Sequence, residues 1–297
     1  MIDLRKIFPR NIRGRIMDAL AWMPDKPYLR LFYFCTTGKW LHFKHPVGFN
    51  EKQNWLKLYD RHPEYSPLAD KVAVKKIIDE KLGEGHVFPL LGAWEKFEDI
   101  DFSSLPDSFV LKCNHDSGST RVIKDKSALT PEELNEMKTF YDRRVKFSFY
   151  PAGREFPYKD IKPCIMAEAL MVDEAHPETS VEDYKFFCFD GVPKIMFVAT
   201  DRATDVKFDF FDMDFNHLDI VNIHPQAGKP ISKPAHFDEM KDIAAKLSQG
   251  MKFCRVDLYE INGTVYFGEY TFYHGGGFRL FYPLEWERRL GDWIKID

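Results

Sequence analysis

Arg255-Val256-Asp257-Leu258-Tyr259-Glu260-Ile261 and Thr264-Val265-Tyr266-Phe267-Gly268-Glu269-Tyr270-Thr271 are two strand-forming runs separated by Asn262-Gly263. Asn-Gly accepts the left-handed backbone of a tight turn, so the segment predicts a β-hairpin. Register decides which side chains share a face, because side chains alternate with period two. A two-residue turn pairs positions summing to 525, which sends Asp257 and Glu269 to opposite faces. A three-residue loop, with Gly263 left-handed, pairs positions summing to 524. It sets Arg255 opposite Glu269 and puts Asp257 and Thr271 on one face. The second register is expected, because it alone makes chemical sense of the charges.

Two carboxylates and an arginine are not buried on a sheet without partners. One solution is a divalent cation: Mg²⁺ is commonly held by one or two carboxylates together with nucleotide phosphates. Arg255 would then offer its planar fork to a phosphoryl group. The plain alternative is a solvated, salt-bridged sheet face. A second cluster is Lys112 followed by Asn114-His115-Asp116-Ser117-Gly118-Ser119. A lysine on a strand followed by a mobile polar loop can hold and cover phosphates through a point charge and backbone N–H groups. The alternative is an exposed lysine and an ordinary turn, and the spacing is not that of a Walker A loop.

The remaining pattern is mixed. Asn50-Glu51-Lys52-Gln53 reads as a capping box before the apolar stripe Trp55, Leu56 and Tyr59. Residues 68–82 read as one helix stopped by Gly83, and Thr130-Pro131-Glu132-Glu133 opens another. Phe109–Cys113 reads as a strand. The second half holds strand-like runs at 164–171, 184–189, 194–199, 206–213, 253–259 and 265–272, and one helix from Phe237 to Gln249. The expected class is α+β: an N-terminal helical segment (1–65), a smaller α+β unit (66–165) and a larger strand-rich unit (166–297).

The 42 Lys+Arg against 46 Asp+Glu leave a net charge of −4, which argues against a dedicated nucleic-acid binder. Five widely spaced cysteines show no C-x-x-C pair, which favours a reducing, cytoplasmic setting. No apolar run approaches the roughly 18 residues of a membrane span. Pro9, Arg10, Arg13 and Arg15 interrupt the start, which lacks the apolar stretch of a signal peptide. The first thirty residues carry seven basic against three acidic residues, with Ile12, Ile16, Leu20 and Met23 at near-helical spacing. That predicts a basic amphipathic helix, docked on the body or lying against the inner face of an anionic membrane.

In this order and spacing, several segments together resemble the ATP-grasp superfamily, and within it the TupA-like family. They are Phe49-Asn50-Glu51-Lys52 with Trp55 to Tyr59, Ala69-Asp70-Lys71, Phe109 to His115 and Asp183-Tyr184-Lys185-Phe186. Arg255 to Tyr259 and Phe267 to Phe272, leading into Gly275-Gly276-Gly277-Phe278, complete the set. The resemblance implies two α+β subdomains gripping ATP, a smaller lid (66–165) and a larger unit bearing the metal-binding hairpin. It implies Lys112 on the nucleotide phosphates and Asn114, His115, Ser117, Gly118 and Ser119 in a loop closing over them. Glu168, Ala169 and Leu170 would form the hinge against adenine, and Lys185 would be a second basic group at the phosphates. Asp257 and Glu269 would ligate Mg²⁺, and Arg255 would stabilise the transferring phosphoryl group. Many ATP-grasp ligases have Asn two residues after the second carboxylate; here Thr271 would be the third ligand.

The activity implied is ATP-dependent ligation of a carboxylate to an amine through an acyl phosphate. The expected setting is surface polysaccharide or polymer synthesis, for example joining an amino acid to a uronic acid. A glycosyltransferase is the competing class, because Asp212-Met213-Asp214 is a D-x-D of the kind that binds a metal in nucleotide-sugar enzymes. A sugar kinase and a non-catalytic ATP-binding protein are the other readings. His274, beside the three glycines, is expected to line an acceptor pocket or to be an ordinary loop histidine.

Overall fold

The computed structural model describes residues 19–174, 181–201 and 204–296. Among these, α1 (Asp25–Thr37) is followed by α2 (Phe49–Tyr59), α3 (Tyr65–Ala69) and α4 (Ala73–Leu82). Next come β1 (Leu90–Trp94), β2 (Phe109–Cys113), β3 (Arg121–Ile123), α5 (Pro131–Arg144), α6 (Tyr150–Gly153) and β4 (Ile165–Ala169). The second half holds β5 (Asp183–Phe189), β6 (Val192–Thr200), β7 (Lys207–Asp212), β8 (His217–Leu218), α7 (Phe237–Leu247), β9 (Cys254–Ile261), β10 (Thr264–Thr271) and α8 (Leu284–Trp293). The α+β expectation is met.

The strands form two antiparallel sheets, ordered β1-β4-β2-β3 and β10-β9-β5-β6-β7-β8. Each buries one face under a helix. On the first, Met137 and Tyr141 of α5 join Phe109, Leu111, Ile165 and Ala167 in one core. Thr130 and Glu133 cap α5 reciprocally, as its sequence predicts. On the second, Met240, Ala244 and Leu247 of α7 pack with Phe186, Met196 and Val198. The expected boundary at 165/166 falls at the start of β4, a strand of the first sheet.

Three local expectations are corrected. Residues 68–82 are two helices, because the chain breaks at Asp70, whose Oδ1 accepts from the N–H groups of Val72 (2.9 Å) and Ala73 (3.3 Å). Asn50 is not a cap. The helix starts earlier, with Glu51 Oε2 accepting from Gly48 N–H (3.0 Å), and Asn50 is a buried interior residue bonded to Glu287 of α8. That helix approaches so closely that a Cβ on Gly291 would lie 2.2 Å from the Val47 carbonyl oxygen. The third correction is the hairpin register, described below. Ile12 and Ile16 of the expected N-terminal helix lie outside the described residues, whereas Leu20 and Met23 pack beside Tyr28 and Phe43.

Candidate functional site

The hairpin turn has two residues, not three: Asn262 (φ 51°) and Gly263 (φ 77°) are both left-handed, and Ile261 pairs with Thr264. The 525 register then runs to Phe267–Leu258 and slips by one at Gly268. Beyond this bulge Glu269 stands opposite Asp257, and Thr271 opposite Arg255. The extra residue reconciles a tight turn with two facing carboxylates, which neither uninterrupted register provides. Glycine suits the bulge: a Cβ there would lie 2.6 Å from the Tyr259 ring and 3.2 Å from the Asp257 carbonyl oxygen.

Arg255 and Asp257 lie two apart on β9 and form a fork. Nε donates to Asp257 Oδ1 at 2.6 Å and Nη2 to Oδ2 at 2.7 Å. Nη2 also donates to the Thr271 hydroxyl at 2.9 Å. Lys185, directly across from Asp257 on β5, pairs with it and, at 2.6 Å, with Asp183. Burial would raise the Asp257 carboxyl, but Arg255 and Lys185 outweigh it and hold the group at about 2.

His274 forms the back of the fork. Asn222 Nδ2 donates to the Arg279 and Leu280 carbonyls (3.0 and 3.2 Å), so its Oδ1 accepts from His274 Nε2 at 2.7 Å. The opposite ring nitrogen, Nδ1, is left to accept from Arg255 Nη1 at 2.8 Å. Burial first, and the Arg255 charge second, keep this imidazole neutral, well below its ordinary range. Both ring nitrogens are thus engaged, and the buried His274 braces the Arg255 guanidinium.

Glu269 is differently placed. Its side chain is 39% exposed, with Lys71 Nζ at 3.6 Å and Arg255 Nη2 at 3.9 Å. Lys71 ties the two sheets together: besides facing Glu269, Nζ donates to the Asp116 carbonyl (2.8 Å) and its backbone N–H to the Asn114 carbonyl (3.1 Å). Four residues on, Lys75 donates to the Phe88 carbonyl and pairs with Glu168, both at 2.6 Å. Lys112 holds the other oxygen of Glu168. Burial opposes ionisation of Glu168, yet Lys112 and Lys75 together bring it below the usual carboxylate range. The cation–carboxylate cluster thus has two parts: Lys75 and Lys112 on Glu168, and Lys71, Lys185 and Arg255 around Asp183, Asp257 and Glu269, with Lys71 and Lys75 four residues apart. Ala169 bonds the Pro89 carbonyl through its N–H (3.0 Å), and Leu170 follows where β4 ends.

The segment after Lys112 differs from the expected mobile loop. Asn114, His115, Asp116 and Ser119 are buried, and only Ser117, Gly118 and Thr120 between β2 and β3 are exposed. Asn114 spans Asp70, Lys162 and Cys164, His115 Nε2 meets the Phe147 carbonyl at 3.0 Å, and Arg144 grips Asp116. These side chains build a braced corner; Ser117 and Gly118 are the parts open to a ligand. The D-x-D is a turn. Asp212 accepts from the N–H groups of Asp214 (3.0 Å) and Asn216 (2.8 Å) and from the Asn216 amide (3.0 Å). Sequence reasoning assigned no role to Lys71, Lys75 or Asp183, although Lys71 and Lys75 stand at i, i+4 spacing.

Known structures overlap the chain only loosely. D-alanine–D-alanine ligase from Helicobacter pylori matches with a TM-score of 0.45 and 16% identity, over 83% of this chain and 69% of that one. The Bacillus anthracis enzyme of the same name matches at 0.38 and 18%, over 76% and 59%. The ATP-grasp ligase PsnB with its minimal precursor matches at 0.41 and 13%, over 74% and 59%. No curated protein matches the chain. A family model does: that of the TupA-like ATP-grasp proteins fits residues 51–295, a span that takes in every residue of the cation–carboxylate cluster. The chain belongs to the TupA-like ATP-grasp family.

Proposed function

We propose that the chain is an ATP-dependent carboxylate–amine ligase working through an acyl phosphate, in the synthesis of a surface polysaccharide or polymer. The observation that carries the reading is the bulged hairpin. It sets an open carboxylate, Glu269, opposite Asp257, with the cations Lys71 and Arg255 beside it, charges suited to a polyphosphate. The donor chemistry fits Mg²⁺ arriving with a nucleotide. The two carboxylates are hard oxygen ligands, and among the described residues no group of three or more His, Cys, Asp or Glu could hold a metal alone. Glu269, the open carboxylate, would hold the ion, joined by Asp257 and the Thr271 hydroxyl where Arg255 and Lys185 yield their oxygens, and the ion would neutralise phosphate charge.

In this reading a substrate carboxylate oxygen attacks the γ-phosphorus of ATP and ADP leaves. An amine nitrogen then attacks the acyl carbon, phosphate leaves, and the amine sheds a proton as the amide forms. Lys112 and Lys75 bind phosphate oxygens as point charges, and Ser117 and Gly118 approach them from the corner. Lys185 and Arg255 face the transferring group, with His274 holding the guanidinium plane. Glu168, Ala169 and Leu170 line the adenine side. The protein's contribution is positioning and charge neutralisation, which needs no side-chain nucleophile. A screen of uronic acids against amino acids tests this: phosphate release must require ATP and both co-substrates. Release of AMP, or hydrolysis of a nucleotide sugar without ATP, would refute it.

A further inference from the structure

Helix α1 is apolar on its inner side, where Tyr28, Leu29 and Tyr33 are buried, but its outer side is not conventionally polar. Leu31 and Phe34 are 41% and 40% exposed on the outward arc they share with Arg30. Trp40 stacks on Phe34 with ring centroids 4.6 Å apart and is itself 63% exposed; Trp22, just before the helix, is 77% exposed. Next to this apolar ridge lies a cup of about 520 Å³ lined by Lys26, Arg30, His42, Phe43, Lys44 and His45. Lys26 and Arg30 lie over the Phe43 ring at 5.7 and 5.6 Å. Among the described residues no carboxylate pairs with Lys26, Arg30 or Lys44. The nearest acid in sequence, Asp25, is bonded to Arg61 and Tyr150, both at 2.6 Å.

We propose that this face docks the protein on an anionic lipid bilayer, the cup receiving phosphate headgroups while Trp40, Phe34 and Leu31 settle at the boundary between headgroups and acyl chains. The charge argument is direct: cations that no carboxylate neutralises among the described residues, Lys26 bonded only to the Tyr59 hydroxyl at 3.3 Å, are complementary to an anionic surface. The apolar ridge supplies what a soluble polyanion would leave unused, and exposed tryptophans beside basic groups suit the headgroup region of a bilayer. The site is separate from the cation–carboxylate cluster and does not depend on the ligase reading.

The test is cosedimentation of the full chain with vesicles of phosphatidylcholine alone, or with about a third phosphatidylglycerol, at low and high salt. Anionic vesicles bind the protein and neutral ones do not. Removing a surface cation costs about fivefold in affinity, so Lys26→Ala/Arg30→Ala weakens binding roughly 25-fold. Trp40→Ala removes the part that resists salt. The swap Lys26→Arg/Arg30→Lys retains binding, and thermal melting confirms that each variant is folded. Equal binding to neutral vesicles overturns the proposal. So does an unaffected Lys26→Ala/Arg30→Ala protein whose binding is lost on neutralising Arg10, Arg13 and Arg15. So does a Trp40→Ala change that only disperses self-associated protein.

Discussion

The substitution Gly268→Ala isolates the bulge on which the site depends. Its Cβ would meet two obstacles, the Tyr259 ring at 2.6 Å and the Asp257 carbonyl oxygen at 3.2 Å. The ring packs on Phe88 at 5.3 Å and can turn only by disturbing that contact. The carbonyl is backbone of the strand that carries the site and must shift by a few tenths of an ångström. Overpacking of this kind costs about 1–3 kcal/mol. Gly268 is absent from the left-handed positions. Alanine therefore also recovers about 0.4–1 kcal/mol by restricting the unfolded chain. The net spans about 0 to 2.6 kcal/mol and centres on about 1.3 kcal/mol, a fall of about 3–5 °C in melting temperature at ~2–4 °C per kcal/mol. Because part of the cost comes from the ring, Gly268→Ala in a Tyr259→Ala background costs less, with a coupling of about 1 kcal/mol. Thermal unfolding of the four proteins, with Mg·ADP affinity measured in parallel, reads both effects, and affinity falls as Glu269 moves off Asp257. A Gly268→Ala protein with unchanged melting and affinity, and no coupling to Tyr259, would refute the reasoning.

Other outcomes follow from the same geometry. Arg255→Met removes the fork and leaves Asp257 with Lys185 as its one cation, destabilising by about 2–3 kcal/mol in denaturant unfolding, whereas Thr271→Val costs about 1 kcal/mol. Asp257 is held at about 2, below its unfolded value of 3.8, so its stabilising contribution is present above pH 4 and disappears as pH falls toward 2. That contribution is about 2 kcal/mol and is read by melting against pH, and Arg255→Gln flattens the slope. Lys75→Met and Lys112→Met each leave Glu168 one cation; the double variant leaves it none. Their costs are then more than additive by about 1 kcal/mol or more in a double-mutant cycle. Asp212→Asn keeps ATP-dependent turnover unchanged, because Asp212 serves only its own turn.

The hairpin shows what sequence could and could not supply. Asn262-Gly263 announced the turn, and the charged residues announced the site, yet the expected register was off. The missing signal was present: the apolar alternation Val265, Phe267 changes phase to Tyr270, Phe272, and a phase change across a glycine marks a bulge. Strands Phe109–Cys113 and Asp183–Phe189 were legible because they are apolar and β-branched or aromatic. The corner at residues 114–119 was not, since Asn, His, Asp and Ser look alike whether solvated or buried in hydrogen bonds. Lys71 and Lys75 were hidden by reading residues 68–82 as one helix. The break at Asp70 depends on an Asn114 amide that is distant in sequence. Helix α8 carried Trp286, Leu290 and Trp293 at i, i+4, i+7 and was open to prediction by period alone.

Isotope tracing gives the central claim its hardest trial. The purified chain is supplied with MgATP, an amino acid and a uronic acid labelled with ¹⁸O in its carboxylate, across a panel of both. The acyl-phosphate route predicts ADP and phosphate carrying one carboxylate-derived oxygen, with label transfer lost in Glu269→Gln. Amide formation accompanied by unlabelled phosphate, or by AMP and pyrophosphate, would contradict it.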